Sequence, residues 1–138
     1  MRRQIITAAL VLFLTGSGLV LDTRAAGTCS LQTLRGNYGF QVTGLALGGT
    51  PLAGVALITF DGAGSYTGKD STSFGGFFSE GTLTGTYTVN DDCTGTTTTT
   101  FPNGFVATGN IVIVDNGKEI LMVISNQGEV GSGTLKRQ

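Results

Sequence analysis

Residues 81–95 alternate almost without interruption. Leu83, Gly85, Tyr87 and Val89 fall on one side; Thr82, Thr84, Thr86 and Thr88 fall on the other. A period of two is the signature of a strand with one face on a core and one in water. The strand runs into Asn90-Asp91-Asp92, whose short side chains bond back to their own backbone and turn the chain. The same period recurs on either side. Tyr38, Phe40 and Val42 share one face of a strand over 36–42. Residues 51–60 are apolar on both faces, with Leu52, Ala56, Ile58 and Phe60 on one and Ala53, Val55 and Leu57 on the other. A more polar strand over 65–74 follows. Further strands are predicted over 96–101, 105–115, 119–125 and 129–135, the first of them a run of threonines with high strand propensity.

Short turn signals separate these strands. Asp61-Gly62 and Asn116-Gly117 supply the positive φ angles that tight hairpins need. Gly75-Gly76, Pro102-Asn103-Gly104 and Asn126-Gln127-Gly128 mark further turns, and 44–49 reads as a glycine-rich connection. Before the first strand, Leu31 and Leu34 either form a single helical turn or lie along the barrel wall. The pattern predicts an all-β chain of about eight strands joined by local hairpins. No connection is long enough to oblige a Greek-key crossover. The expected architecture is therefore an antiparallel up-and-down barrel, whose closure removes exposed edges. Strands that are apolar on both faces need cover outside the barrel, either a packed N-terminal segment or a second copy of the chain in a homo-oligomer.

The first 25 residues read differently. Arg2 and Arg3 precede an apolar run from Ile5 to Leu21, and Thr23-Arg24-Ala25 offers small residues where a signal peptidase reads. The run is short for a bilayer span of about 20 residues. Residues 1–25 are thus expected to be a cleaved signal peptide, leaving 26–138 as one exported barrel domain of 113 residues with no membrane span. Cleavage moves the formal charge from −1 to −3. Arg35, Lys69, Lys118, Lys136 and Arg137 are few and mostly scattered, which argues against nucleic acid as a partner. The chain has two cysteines, and in an exported protein such a pair is expected to join, here as Cys29–Cys93.

Three stretches carry a family resemblance. They are Leu34-Arg35-Gly36-Asn37-Tyr38-Gly39-Phe40, Thr59-Phe60-Asp61-Gly62-Ala63-Gly64, and Gly85-Thr86-Tyr87-Thr88-Val89-Asn90-Asp91-Asp92-Cys93-Thr94-Gly95. Together they resemble exported bacterial proteins with an allene-oxide-cyclase barrel-like domain. The resemblance implies an eight-stranded lipocalin-like barrel, often oligomeric, whose relatives cyclise or bind apolar small molecules. No catalytic residue of such a cyclase maps onto this chain.

The side-chain inventory narrows the chemistry. There is no histidine, so His-based triads, shuttles and zinc sites are excluded, and no cofactor or metal is expected. Asn90-Asp91-Asp92 supplies oxygen ligands, but three in a row do not converge on calcium unaided. Past residue 25 the carboxylates are Asp61, Asp70, Glu80, Asp91, Asp92, Asp115, Glu119 and Glu129, most in or beside turns, where turn chemistry explains them. Counting by two from Leu83 puts Glu80 on the threonine face at the rim. A bulge at Gly81 instead turns it inward, and an inward carboxyl in an apolar barrel is the candidate general acid or base. Tyr38, Tyr66 and Tyr87 are the polar handles for a ligand, although Tyr38 and Tyr87 serve as readily as core tyrosines. Threonines 82, 84, 86 and 88 are expected beside Thr96, Thr98 and Thr100, making an exposed hydroxyl array. Three functions follow: a barrel binding an apolar ligand or serving a structural role, blocked in the first case by filling the interior at Gly85; a cyclase or isomerase; and a surface-binding protein using the threonine face.

Overall fold

Eight strands follow one another around a closed barrel: β1 (Arg35–Ala46), β2 (Thr50–Asp61), β3 (Ser65–Phe74), β4 (Phe77–Val89), β5 (Thr94–Thr100), β6 (Val106–Val114), β7 (Glu119–Ile124) and β8 (Val130–Arg137). Each pairs antiparallel with the next, and β8 returns to β1. This is a computed structural model, and it describes residues 28–138; the expected signal peptide over 1–25 lies outside the described residues.

Alternation sets the walls. Tyr38, Ile58, Phe60, Tyr66, Leu83, Tyr87, Ile111, Ile113, Ile120 and Leu135 point inward and form the core. On β4 the inward set is the one the period of two gives, with Leu83 and Tyr87 buried and Thr82, Thr84, Thr86 and Thr88 exposed. Most of the expected threonine array forms, with Thr84 opposite Thr100, Thr86 opposite Thr98 and Thr88 opposite Thr96, but Thr82 pairs only with Lys69 of β3.

β1 is longer than predicted. It runs on through Gly44 to Ala46, and only Leu47–Gly49 turns. Gly44 is there for close approach rather than for a turn. A Cβ at that position would stand 2.1 Å from the carbonyl oxygen of Val130, so β8 lies against bare backbone. The Asn116-Gly117 hairpin is likewise a three-residue turn, with Asp115, Asn116 and Gly117 all at positive φ.

The two ends of the barrel differ. Residues 28–34 cross one end, making a 3-10 turn over Leu31–Thr33. Leu34 enters the core with no exposure. The Cys29–Cys93 disulfide pins this segment to the turn between β4 and β5, as expected from the cysteine count. The described part of the N-terminal segment therefore plugs an end and does not cover the outer faces of β2, β6 and β7. Val55, Leu57, Val112, Leu121 and Val123 remain exposed there among the described residues. The opposite end carries the turns 47–49, 75–76, 101–105 and 125–129, and it is open.

Candidate functional site

Phe60 builds a floor across the barrel. Its ring centroid lies 5.2 Å from Tyr38, 5.2 Å from Tyr66 and 5.1 Å from Tyr87, edge-on to Tyr38 and Tyr87. Below this floor the polar groups are tied off. The Tyr87 hydroxyl donates to the carbonyls of Leu31 and Leu34 at 2.9 and 3.0 Å. Tyr38 donates to the Gly117 carbonyl, and Arg137 donates to the Tyr38 oxygen and to the Thr33 carbonyl. Tyr38 and Tyr87 are thus fasteners of the plug, and neither lines the space above.

Above the floor is a cavity of about 250 Å³ that reaches the open end. Its wall is mostly apolar, with Phe40, Ala56, Ile58, Leu83, Met122 and Leu135 among the lining residues. Tyr66 is the one of the three candidate tyrosines that lines it, and its hydroxyl shares a 2.6 Å hydrogen bond with Thr99. Burial pushes the Tyr66 phenol above its ordinary pKa, while the Thr99 bond pulls the other way. It stays a neutral hydrogen-bonding group at physiological pH.

Gly85 does not offer free space. A Cβ there would sit 2.1 Å from Cζ of Tyr66, so the glycine seats the tyrosine ring, and a leucine at 85 would displace Tyr66 before filling the cavity. Ala56 faces open volume and is the position where a larger side chain fills it.

The carboxylates separate clearly. Asp61 accepts from the Ser65 and Ala63 amides, and Asp92 accepts from the Thr94 hydroxyl and amide. These bonds hold both carboxyls below the usual range, Ser65 contributing most for Asp61 and the Thr94 hydroxyl most for Asp92. Both are turn residues. Glu80 is exposed on the outer face of β4, opposite Ser71, whose hydroxyl donates to it at 3.2 Å. Gly81 makes no bulge, so Glu80 keeps the outward side that the count from Leu83 gives. The inward carboxylate is Asp70. It lines the cavity from β3, with Oδ2 accepting from Thr72 at 3.0 Å and Oδ1 buried with no hydrogen-bond partner among the described residues. The sequence held a signal for it: once Tyr66 faces in, so do 68, 70, 72 and 74.

The mouth carries exposed apolar rings and is partly unwalled. β5 pairs with β4 only from Thr84 to Val89, so Phe77 to Leu83 pair with β3 alone. The resulting slot faces the turn 101–105, where Phe101 and Phe105 stack at 5.8 Å. Phe77 and Phe78 on this hairpin are 83% and 68% exposed. On the other side of that turn the wall is mended by Asn126, whose side chain accepts from the Thr108 amide and donates to the Val106 carbonyl.

Neither the family models nor the curated proteins yield a match. Solved structures do. The fold is similar to a redesigned β-barrel, mFAP1, bound to DFHBI, at 21% identity and a TM-score of 0.53 over 78% of this chain and 98% of that one. It is similar to a de novo designed fluorescence-activating β-barrel, at 14% identity and a TM-score of 0.54 over 78% and 96%. It is also similar to EF1p2_mFAP2b bound to DFHBI, at 17% identity and a TM-score of 0.54 over 79% and 97%. At these identities the likeness is one of fold.

Proposed function

We propose that this protein is an exported binding barrel that takes a small, largely apolar ligand into the cavity above Phe60. The observation that carries the reading is the asymmetry of the interior. One end is sealed by a disulfide-pinned plug, and the other opens into about 250 Å³ of mostly apolar lined space. A packed structural barrel has no use for such space, because empty apolar volume weakens a core. Two of the similar designed barrels are described as bound to DFHBI, which supports the same use of this architecture. The disulfide is compatible with export, and the resemblance to exported allene-oxide-cyclase barrel-like proteins points the same way. The cyclase alternative needs an acid or base facing the substrate; Glu80 does not meet that demand from the outer face, and Asp70 is the carboxylate that would.

Native mass spectrometry of the exported, unreduced protein tests the reading. The expected result is extra mass that leaves on denaturation, or uptake of one added apolar molecule per barrel that Ala56→Leu abolishes. A barrel that carries and accepts nothing would contradict it.

A further inference from the structure

The cavity is apolar in shape but not neutral in charge. Asp70 lines its wall, Glu129 stands at its mouth, and Arg35, Lys69, Lys118, Lys136 and Arg137 are all absent from its lining. Lys69, on the same strand as Asp70, lies one residue away and therefore on the outer face. Arg137 is occupied at the plugged end by Tyr38 and Thr33. The field inside is thus negative, and low-dielectric walls concentrate it.

Asp70 is also incompletely served. Its Oδ2 takes the Thr72 hydroxyl and its Oδ1 has no partner among the described residues. An ionised carboxylate is an acceptor with room for several donors, and a buried one lacking them is costly. Oδ1 is packed against the neighbouring strand, but the groups around it are small. Ala56 and Gly81 are the cross-strand partners of Asp70 on either side, both small, and a Cβ at Gly81 would already touch Oδ1 at 3.4 Å. Rotation about χ2, which is soft for a carboxylate, brings either oxygen to the interior.

We propose that the ligand is a cationic amphiphile: an apolar, ring-sized body carrying one protonated amine, which pairs with Asp70 while the body rests on Phe40, Leu83 and Met122. This rests on the binding reading above and adds the ligand's charge. A dry apolar cavity of about 150 Å³ is enough for a benzene ring, so the larger space here suits a two-ring body.

The test uses three probes of one shape, naphthalen-1-ylmethylamine, naphthalen-1-ylmethanol and naphthalene-1-carboxylate, titrated calorimetrically at neutral pH. The wild type is expected to bind the amine about tenfold to a hundredfold more tightly than the alcohol, and the carboxylate weakest, as a charge-assisted bond implies. Asp70→Asn should bring the ratio of amine to alcohol affinity to about one. Asp70→Ala, which removes the carboxylate altogether, should likewise abolish the preference for the amine. Either variant answers if the other fails to fold. Equal binding of amine and alcohol by the wild type, or an amine preference that survives both substitutions, would overturn the proposal while leaving a binding barrel. Binding of no probe would overturn both.

Discussion

The two ends of this barrel are made from the same eight strands and solve opposite problems. At the plugged end, beneath a disulfide, two hydrogen-bonded sets tie the polar groups off: Tyr38 and Arg137 with the Gly117 and Thr33 carbonyls, and Tyr87 with those of Leu31 and Leu34. At the open end, Phe77, Phe78, Leu47 and Val130 stand in solvent, and part of β4 lacks a neighbour on one side. Stability is concentrated where polar groups are satisfied and apolar groups covered. The end left unfinished is the one that faces the cavity, as binding sites often are.

Substitutions at the two ends should therefore differ in size. Removing the disulfide with the double variant Cys29→Ser/Cys93→Ser should cost the most, about 4 kcal/mol in urea unfolding for a bridge closing a loop of this length. Next is Gly117→Ala. Gly117 sits at φ 80°, and a Cβ would stand 2.6 Å from the Thr33 carbonyl, so strain and collision combine for about 3 kcal/mol. Gly48→Ala at the open end has nearly the same φ, 79°, but nothing within 4 Å of the new Cβ, and should cost about 1 kcal/mol. Equal losses at 48 and 117 would show that the plug is not what makes 117 special.

The pH dependence sharpens the contrast from both sides. Burial raises the pKa of Tyr66 in the cavity wall and of Tyr87 under the plug. The folded values lie above those of the unfolded phenols, so this stability is whole below about pH 10 and is lost as pH climbs from there through the folded values. Asp61 and Asp92 have lowered values, so their contribution holds above about pH 4 and fades as pH falls. Both pairs should show as opposite slopes in a melting-temperature profile. The smallest effect is expected at the mouth: Phe77→Ser and Phe78→Ser should each change stability by no more than about 0.5 kcal/mol, since both rings are already in water. A larger loss would mean that these rings are covered in solution, as in an oligomer.

The plugged end was largely legible in the sequence. The period of two from Leu83 to Val89, the Asn90-Asp91-Asp92 turn and the lone cysteine pair specify its register and its crosslink, because each is a local signal. The barrel's closure followed from the short turns. Gly44 read as a loop residue because glycine has two uses, and only the approach of β8 tells close packing from a turn. Asp70 was passed over for a related reason. Its strand is polar on both faces, with Lys69, Ser71 and Ser73 alternating with Asp70 and Thr72, so no hydrophobic stripe announced which side was inside. The inward side was fixed by Tyr66, four residues away. Glu80 shows the converse: the alternation from Leu83 already placed it outside. The size of the cavity is set by the distances between strands, which no periodicity records.

The most direct measurement is a methyl-resolved NMR titration of the wild type with naphthalen-1-ylmethanol. A ligand in the cavity should shift the methyls of Leu83, Met122 and Ile124 in a saturable way while leaving Leu34 under the plug and Leu57 and Leu121 on the outer wall in place. Saturable shifts at Leu57 and Leu121 with silent cavity methyls, or no saturable shift anywhere, would contradict the assignment of the interior as the binding site.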